Sequence, residues 1–177
     1  MTVIDTNILD CLLAAMSRGE LPPTTDPELA SEQVAALRLF LWKGFSVGRV
    51  AADEVRNNPD AAKRGALESI IGSMLPEVWV QRHDDAAWTA RVTELRAHHR
   101  GEMDCRLVAE AEIVGASTVL SFDKRMVRNL ESHGRVRVLF PTVYWNELAI
   151  PRGTQPKWTP APSNPLAHAT FWRWDDL

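Results

Sequence analysis

Apolar residues along this chain form two kinds of pattern, short continuous runs and longer stretches with helical periodicity. The short runs predict buried strands, and they are Val3-Ile4, "EVWV" (77–80), "STVLS" (117–121) and "VRVLF" (136–140). Between them, apolar residues recur every three or four positions, as in "ILDCLLAAM" (8–16), which is typical of amphipathic helices. Since strands alternate with helices, we expect an α/β fold with a mainly parallel sheet.

Polar residues mark the expected starts of several helices. Asp26 stands before a proline and is a typical N-cap of the second helix. Asn58, also before a proline, is the expected cap of the fourth helix, and Asp84 or Asp85 that of the fifth. The segment "FSVGRVAADEV" (45–55) predicts a short extended piece followed by the third helix.

Length and composition predict one domain with a C-terminal extension. A chain of 177 residues is long enough for one well-packed domain and short for two. Residues 151–177 differ from residues 1–150, because they hold five of the eleven prolines and three of the seven tryptophans. We expect Trp158, Trp172 and Trp174 to anchor this extension across the domain. The alternative is that these tryptophans stack on nucleic-acid bases or grip a partner.

Composition also restricts the class of protein. Cys11 and Cys105 form neither a disulfide framework nor a thiolate cluster, which favours a reduced, intracellular compartment. No apolar run is long enough to cross a bilayer, and the first strand begins too close to Met1 to leave room for a signal peptide. We therefore expect a cytoplasmic protein with no membrane contact. The net charge of −3 disfavours binding of nucleic acid by bulk positive charge, unless bound cations neutralise some acids.

Two acidic residues closely follow predicted strands. Asp5 comes directly after the first strand, and Asp123 comes after "TVLSF" (118–122). Because the carboxyl ends of parallel strands share one edge of a sheet, we expect the two carboxylates to meet there. Each also has a simpler explanation, since Asp5 favours a turn and Asp123 is a good N-cap for the next helix.

Two further acids lie on helix faces that are predicted to point inward. Asp104 begins an apolar face of its helix, and Glu54 follows apolar residues on one side of its own helix, whereas we expect Asp53 to be solvated. An unpaired buried carboxylate is costly, and several at one place repel each other unless a cation lies between them. Hard oxygen ligands favour Mg²⁺ or Mn²⁺, and such ions promote attack of water on a phosphodiester.

The motifs that carry these acids resemble, in order, the acidic motifs of PIN-domain nucleases. They are "VIDTNIL", the glutamate of "AADEV", "MDCRLVAEA" and "LSFD". The resemblance covers about residues 1–150 and includes "VRVLFPTVYWNEL", which is similar to the last strand and helix of that family. Each motif is short, and the ordered set is more specific than any one of them. Within the family, the chain is similar to the VapC-type toxins of toxin–antitoxin pairs.

The resemblance implies a PIN-like three-layer α/β/α sandwich and an endoribonuclease that cleaves single-stranded RNA with Mg²⁺ or Mn²⁺. The residues that match the family's acidic quartet are Asp5, Glu54, Asp104 and Asp123. Asn7 and Ser121 match its polar accompaniment. The resemblance further implies a small antitoxin protein that blocks the site, and a homodimer. The extension at 151–177 departs from the compact family pattern, so a PIN nuclease of RNA processing and a module that binds without cleaving stay open.

Other residues have chemistry that could join such a site. Lys124 and Arg125 are candidates for holding an RNA phosphate, with a solvated helix face as the alternative. His98 and His99 could bind the metal or contact phosphate, although histidines at a helix end are more often on the surface. Cys105 has no histidine partner at a readable spacing, so we expect it to pack in the core.

A phosphatase of the haloacid-dehalogenase type is a competing reading of the first motif. Such enzymes also have an Asp after their first strand, but they need a second Asp two residues later, where this chain has Asn7. The chain also lacks a glycine-rich phosphate loop. These two departures favour the nuclease over the phosphatase.

Overall fold

The computed structural model describes residues 1–78 and 86–174. Within these ranges the strands are β1 (Thr2–Ile4), β2 (Ser46–Gly48), β3 (Glu77–Val78), β4 (Thr118–Leu120) and β5 (Arg137–Leu139). The helices of the same ranges are α1 (Thr6–Arg18), α2 (Pro27–Trp42), α3 (Arg49–Arg56), α4 (Ala61–Met74), α5 (Ala86–Arg96), α6 (Glu102–Ile113), α7 (Lys124–Leu130) and α8 (Pro141–Glu147). A short 3-10 helix, Pro165–His168, lies in the extension.

The five strands form one sheet in the order β3-β2-β1-β4-β5, and every strand pair is parallel. All residues of β1, β2 and β4 are buried, so both faces of the sheet are covered. The α/β class expected from the alternation of strands and helices is confirmed. From β1 the chain adds β2 and β3 on one side of the sheet, and it then adds β4 and β5 on the other side. Parallel sheets bind ligands at the carboxyl ends of the strands where the strand order reverses, which is here between β1 and β4.

Helix α2 is buried on nearly all sides, because the domain packs on one side of it and the extension on the other. Residues 35–41 of this helix are all buried. A helical segment that is buried all round needs such a double cover. Helices α1 and α8 both pack against α2 from the side of the domain.

The extension is held to α2 by hydrogen bonds and by tryptophans, as the sequence predicts. The buried guanidinium of Arg38 donates to the backbone carbonyls of residues 171–173, each at 3.3 Å. Trp172 is only 7% exposed, and its indole N–H donates to the backbone carbonyl of Leu166 at 2.9 Å. The ring of Trp158 lies 5.6 Å from that of Phe40. The rings of Trp172 and Trp174 lie 6.4 Å and 5.4 Å from those of Trp42 and Trp145, so all three tryptophans pack against the domain.

The helix caps agree with the sequence in one case and differ in another. Asp26 is the N-cap of α2, as expected. The N-cap of α4 is Asp60 and not Asn58, because the carboxylate of Asp60 accepts from two backbone N–H groups of the first turn. Asn58 instead accepts a hydrogen bond from the N–H of Asp60 at 3.0 Å, so it shapes the turn before the helix. The expected caps Asp84 and Asp85, and residues 79–80 of the third predicted strand, lie outside the described residues.

No helix in the described ranges combines the length and the apolar character that are needed to cross a membrane.

Candidate functional site

The candidate site lies where β1 and β4 end side by side. Ile4 pairs with Leu120, and the backbone N–H of Asp5 donates to the carbonyl of Leu120 at 3.0 Å. Asp5 therefore follows β1 at the same sheet edge at which Ser121 follows β4. The two strand ends meet as expected, but the carboxylate of Asp123 is exposed and caps α7. The meeting of the two carboxylates themselves stays a prediction.

Asp5 is both the N-cap of α1 and the centre of the hydrogen bonds at this edge. Its Oδ1 accepts from the backbone N–H of Thr6 at 2.7 Å. Its Oδ2 accepts from the amide of Asn7 at 2.6 Å and from the hydroxyl of Ser121 at 2.7 Å. Burial raises the pKa of the Asp5 carboxyl above its usual range, and the negative charge of Asp104 raises this pKa further. The hydrogen bonds from Ser121 and Thr6 lower the pKa and offset part of the increase. Asp5 thus combines the local capping expected of a turn former with a hydrogen bond to the end of β4.

Asn7 and Ser121 join the ends of the two strands into one network. The amide N–H of Asn7 also donates to the Ser121 hydroxyl oxygen at 3.0 Å, and the Asn7 carbonyl oxygen accepts from the N–H of Phe122 at 3.3 Å. Ser121 is fully buried and accepts from the backbone N–H of Asp123 at 3.0 Å. The hydroxyl of Ser121 therefore lies between the two predicted strand-end acids.

Glu54 reaches the same edge from helix α3 through Thr6. The hydroxyl of Thr6 lies 3.0 Å from Oε2 of Glu54 and 3.2 Å from Oδ1 of Asp5. Since one hydroxyl carries one proton, it donates to one of these carboxylates at a time. Thr6 was not expected at the site, although its position between Asp5 and Asn7 is the signal that could have identified it.

The inward orientation expected for Glu54 is wrong. Glu54 is exposed, because the buried face of α3 consists of other residues. These are Val50, Ala51, Ala52 and Val55. Glu54 lies at the edge of that face, where a long side chain reaches Thr6. Asp53 is partly exposed as expected, and it forms ion pairs with Arg49 and Arg56.

Helix α3 is held in place by Glu110, a buried acid of α6 to which the sequence motifs assign no role. Its two carboxylate oxygens accept from the backbone N–H groups of Arg49 at 3.0 Å and Val50 at 2.9 Å. Glu110 is 1% exposed, and a Cβ at Gly48 would lie 2.5 Å from its Oε2. Glu110 therefore supplies the cap that Gly48, the N-cap residue of α3, lacks. The sequence signal that could have identified Glu110 is an acid within the apolar segment "LVAEA".

Asp104 lies in the first turn of α6 and contacts His99. Its Oδ2 is 2.6 Å from Nε2 of His99, and the side chain of Asp104 is 26% exposed. The surface position expected for both histidines is wrong for His99, which is 7% exposed, because the chain between α5 and α6 turns it inward. His98 is exposed, and its ring stacks on that of His133 at 3.6 Å. Cys105 packs in the core as expected, and burial raises the pKa of its thiol to about 11.

Asp123 acts as the N-cap that the simpler explanation proposed. Its Oδ1 accepts from the backbone N–H groups of Arg125 at 2.6 Å and Met126 at 3.0 Å. Lys124 is paired with Glu28 at 2.6 Å, so a phosphate would have to compete with that carboxylate. Arg125 is exposed and has no ion pair with the described residues.

The four acids do not form a closed ligand set in the described residues. Asp5 and Glu54 share the hydroxyl of Thr6, Asp104 acts on Asp5 through its charge, and Asp123 is linked to Asp5 through a serine. Within the described ranges, no three His, Cys, Asp or Glu side chains are grouped so that they could hold a metal ion. The donor atoms are hard carboxylate oxygens, which suit Mg²⁺ or Mn²⁺. A cation would have to draw the carboxylates closer together.

An open groove of about 610 Å³ begins beside Glu54. Its apolar part includes Met103, which is 41% exposed, and Trp88. Its polar part includes the amides of Asn57 and Asn58. The groove gives the region around Glu54 both an apolar surface and hydrogen-bonding groups.

Comparison with known proteins finds structural likeness and no sequence family. No family model matches the chain, and no curated protein matches it. Among solved structures, it is similar to FitAcB from Neisseria gonorrhoeae, with a TM-score of 0.48 and 16% identity over 80% of this chain and 99% of that one. A structure of FitAB bound to an IR36 DNA fragment has the same score and identity, over 82% of this chain and 96% of that one. VapBC2 from Rickettsia felis, bound to a DNA fragment from its promoter, has a TM-score of 0.45 and 15% identity, over 78% and 96%. Likeness at this level is one of overall shape and assigns no family or activity to this chain.

Proposed function

We propose that this chain is a metal-dependent endoribonuclease that cleaves single-stranded RNA. The observation that carries the proposal is the state of Asp5. This carboxylate is held by three donors at the ligand-binding edge of a parallel sheet, while burial and the charge of Asp104 raise its pKa. A nearby cation would offset both the burial of this carboxylate and its repulsion by Asp104. No basic side chain hydrogen-bonds to Asp5 in the described part of the chain.

The proposed metal ligands are the four acids of the ordered motifs, Asp5, Glu54, Asp104 and Asp123. Mg²⁺ or Mn²⁺ bound there would supply Lewis-acid stabilisation of the phosphodiester and a more acidic water. The chain's own part is orientation. Asn7 and Ser121 fix Oδ2 of Asp5, and Thr6 holds Glu54 at its side. Of the two basic residues that follow Asp123, Arg125 is the more available to a phosphate, since Lys124 is already paired.

The open groove beside Glu54 is the proposed binding surface for single-stranded RNA. An unpaired nucleotide exposes its base face and its base edges, which apolar side chains and amides recognise. Met103 and the two asparagines, Asn57 and Asn58, offer such groups. A net charge of −3 gives little general attraction for duplex nucleic acid, so recognition would depend on this local surface.

The proposal is tested by incubating the purified chain with single-stranded RNA in Mg²⁺, in Mn²⁺ or in EDTA. We expect cleavage with either ion and none with EDTA. Asp5→Asn and Glu54→Gln should each lower the rate at least a hundredfold, whereas Asp10→Asn and Glu68→Gln, matched changes outside the site, should not. Metal-independent cleavage, or equal cleavage by wild type and Asp5→Asn, would refute the proposal. A parallel incubation with single-stranded DNA decides between the two nucleic acids.

We also propose that the chain acts as the toxin of a toxin–antitoxin pair, with a small antitoxin protein as its partner and a homodimer as its assembly. The support is the ordered set of motifs that resembles VapC-type toxins. Expression should stop growth, and co-expression of the product of a neighbouring small gene should restore it. Cleavage of RNA without growth arrest would favour a PIN nuclease of RNA processing instead. Light scattering of the purified chain measures the assembly.

A second candidate function is binding without cleavage. The observation in its favour is that no group of three acids, histidines or cysteines in residues 1–78 and 86–174 is arranged to hold a metal. In that case the chain would bind RNA equally well in Mg²⁺ and in EDTA and leave it intact. Fluorescence anisotropy with labelled RNA, followed by a gel of the same samples, separates binding from cleavage.

A further inference from the structure

His99 is held at both ends of its ring inside the connection between α5 and α6. Its Nε2 lies 2.6 Å from Oδ2 of Asp104, and its Nδ1 lies 3.4 Å from the amide nitrogen of Asn129. The Sγ of Cys105 contacts its backbone carbonyl at 3.4 Å. With 7% of the residue exposed, the ring has little room to turn. An N–H donated by Asn129 to Nδ1 leaves the hydrogen of the neutral ring on Nε2, which then donates to Asp104.

The backbone beside His99 is shaped to permit this contact. A Cβ at Gly101 would lie 2.6 Å from Nε2 of His99 and would collide with Oδ2 of Asp104. Real Cβ atoms do not approach other atoms this closely, so a side chain at position 101 would push the imidazole and the carboxylate apart. Gly101 is also the N-cap residue of α6 and provides no side-chain cap. Its lack of a side chain therefore serves the contact between His99 and Asp104.

We infer that His99 is a positioning residue that orients Asp104 as a ligand for a divalent cation. This inference rests on the proposed function. The imidazole occupies Oδ2 of Asp104, which leaves Oδ1 available to a cation. Carboxylates that bind metals are commonly oriented by such a second hydrogen bond. His99 is not itself a ligand in this arrangement, because both of its ring nitrogens already face protein partners.

The orientation of Asp104 matters because its charge acts on Asp5. A carboxylate that rotated freely would spend part of its time away from the region that the two acids share. The hydrogen bond from a buried, rigid imidazole removes that freedom before a cation arrives, so less conformational entropy is lost on binding.

The test measures Mn²⁺ binding by the RNA-free protein with isothermal titration calorimetry. We expect His99→Ala to weaken binding by about 10–100-fold. His99→Gln, which keeps an N–H donor near the position of Nε2, should restore binding to within about threefold of wild type. His98→Ala changes the exposed neighbour and serves as the matched control, with binding unchanged. Asn129→Ala removes the contact at Nδ1 and should weaken binding by a smaller factor.

Thermal unfolding of each variant separates positioning from folding. Should His99→Ala fail to fold, Asn129→Ala decides, since a loss of Mn²⁺ affinity at an unchanged Tm supports the inference and wild-type affinity opposes it. Wild-type affinity in His99→Ala, or equal losses in the alanine and glutamine variants, would overturn it while leaving the proposed nuclease intact. Absence of Mn²⁺ binding by the wild type, together with absence of metal-dependent cleavage, would overturn the proposed function and this inference with it.

Discussion

The hydroxyl of Ser121 donates to Oδ2 of Asp5 at 2.7 Å across 116 positions of the sequence. This bond joins the carboxyl end of β4 to that of β1, and the same hydroxyl oxygen accepts from the backbone N–H of Asp123. One buried side chain thus connects the first and last acids of the ordered motifs. Asp5, which follows β1, is therefore held beside Ser121 at the carboxyl end of β4, two residues before Asp123.

Ser121→Ala should destabilise the domain and slow the proposed reaction. The change removes a donor to a carboxylate and leaves the N–H of Asp123 without its acceptor. We expect a loss of about 1.5–3 kcal/mol in the free energy of unfolding. Urea denaturation measures it. Ser17→Ala, which removes an exposed hydroxyl bonded to the carbonyl of Leu13, should cost less than about 0.5 kcal/mol.

Divalent cations should stabilise the wild type more than they stabilise Asp5→Asn. A ligand that binds only the folded state at a concentration of a hundred times its Kd adds about 2.7 kcal/mol. Removal of the central carboxylate should abolish most of this gain. Tm measured in EDTA and in increasing Mn²⁺ gives the result, and Asp10→Asn is the control because its carboxylate pairs with Lys63 on the surface. Equal gains in wild type and Asp5→Asn would exclude a cation at Asp5.

Glu110→Ala should lower both stability and the proposed activity. It leaves the N–H groups of Arg49 and Val50 without acceptors at the buried start of α3. Each such group costs about 1–3 kcal/mol, and the helix that carries Glu54 would lose its fixed position. Chemical denaturation and RNA cleavage measure the two effects. Glu131→Ala removes an exposed acid and should change neither, so a similar loss there would contradict the role of Glu110.

Trp172→Ala should release part of the extension from α2. The residue is 7% exposed and its ring lies 6.4 Å from that of Trp42. Truncation of a buried tryptophan typically costs about 3–5 kcal/mol. A lower Tm and faster proteolysis after residue 150 are the expected results. Val143→Ala, at a residue that is 41% exposed, is the control. Unchanged proteolysis in Trp172→Ala would show that the extension is held by other contacts.

Both cysteines should resist alkylation in the folded protein. Burial raises the pKa of Cys11 to about 12 and that of Cys105 to about 11, so at pH 8 almost no thiolate is present. Both thiol pKa values are higher in the folded protein than in the unfolded chain. The folding free energy that depends on neutral thiols is therefore fully present below about pH 9, and it is lost as the pH rises through 11–12. Iodoacetamide at pH 8, followed by mass spectrometry, should label neither cysteine until urea is added. Labelling of either one without urea would contradict its burial.

The sequence by itself determined the order of strands and helices, the parallel class of the sheet and the position of Asp5 and Asp123 after their strands. These follow from periodicity, because each element must bury one apolar face and a strand must end where polar residues begin. Asp104 could be placed at the head of an apolar helix face for the same reason.

Tertiary structure decided which polar groups meet. Thr6 contacts Glu54, His99 contacts Asp104 and Glu110 caps α3, and periodicity predicts none of these contacts. Such partners depend on how helices are placed relative to each other, and differences of an ångström separate a hydrogen bond from no contact. The exposed position of Glu54 differs from the prediction for this reason, because a side chain at the edge of a helix face can point either way until its neighbours are in place.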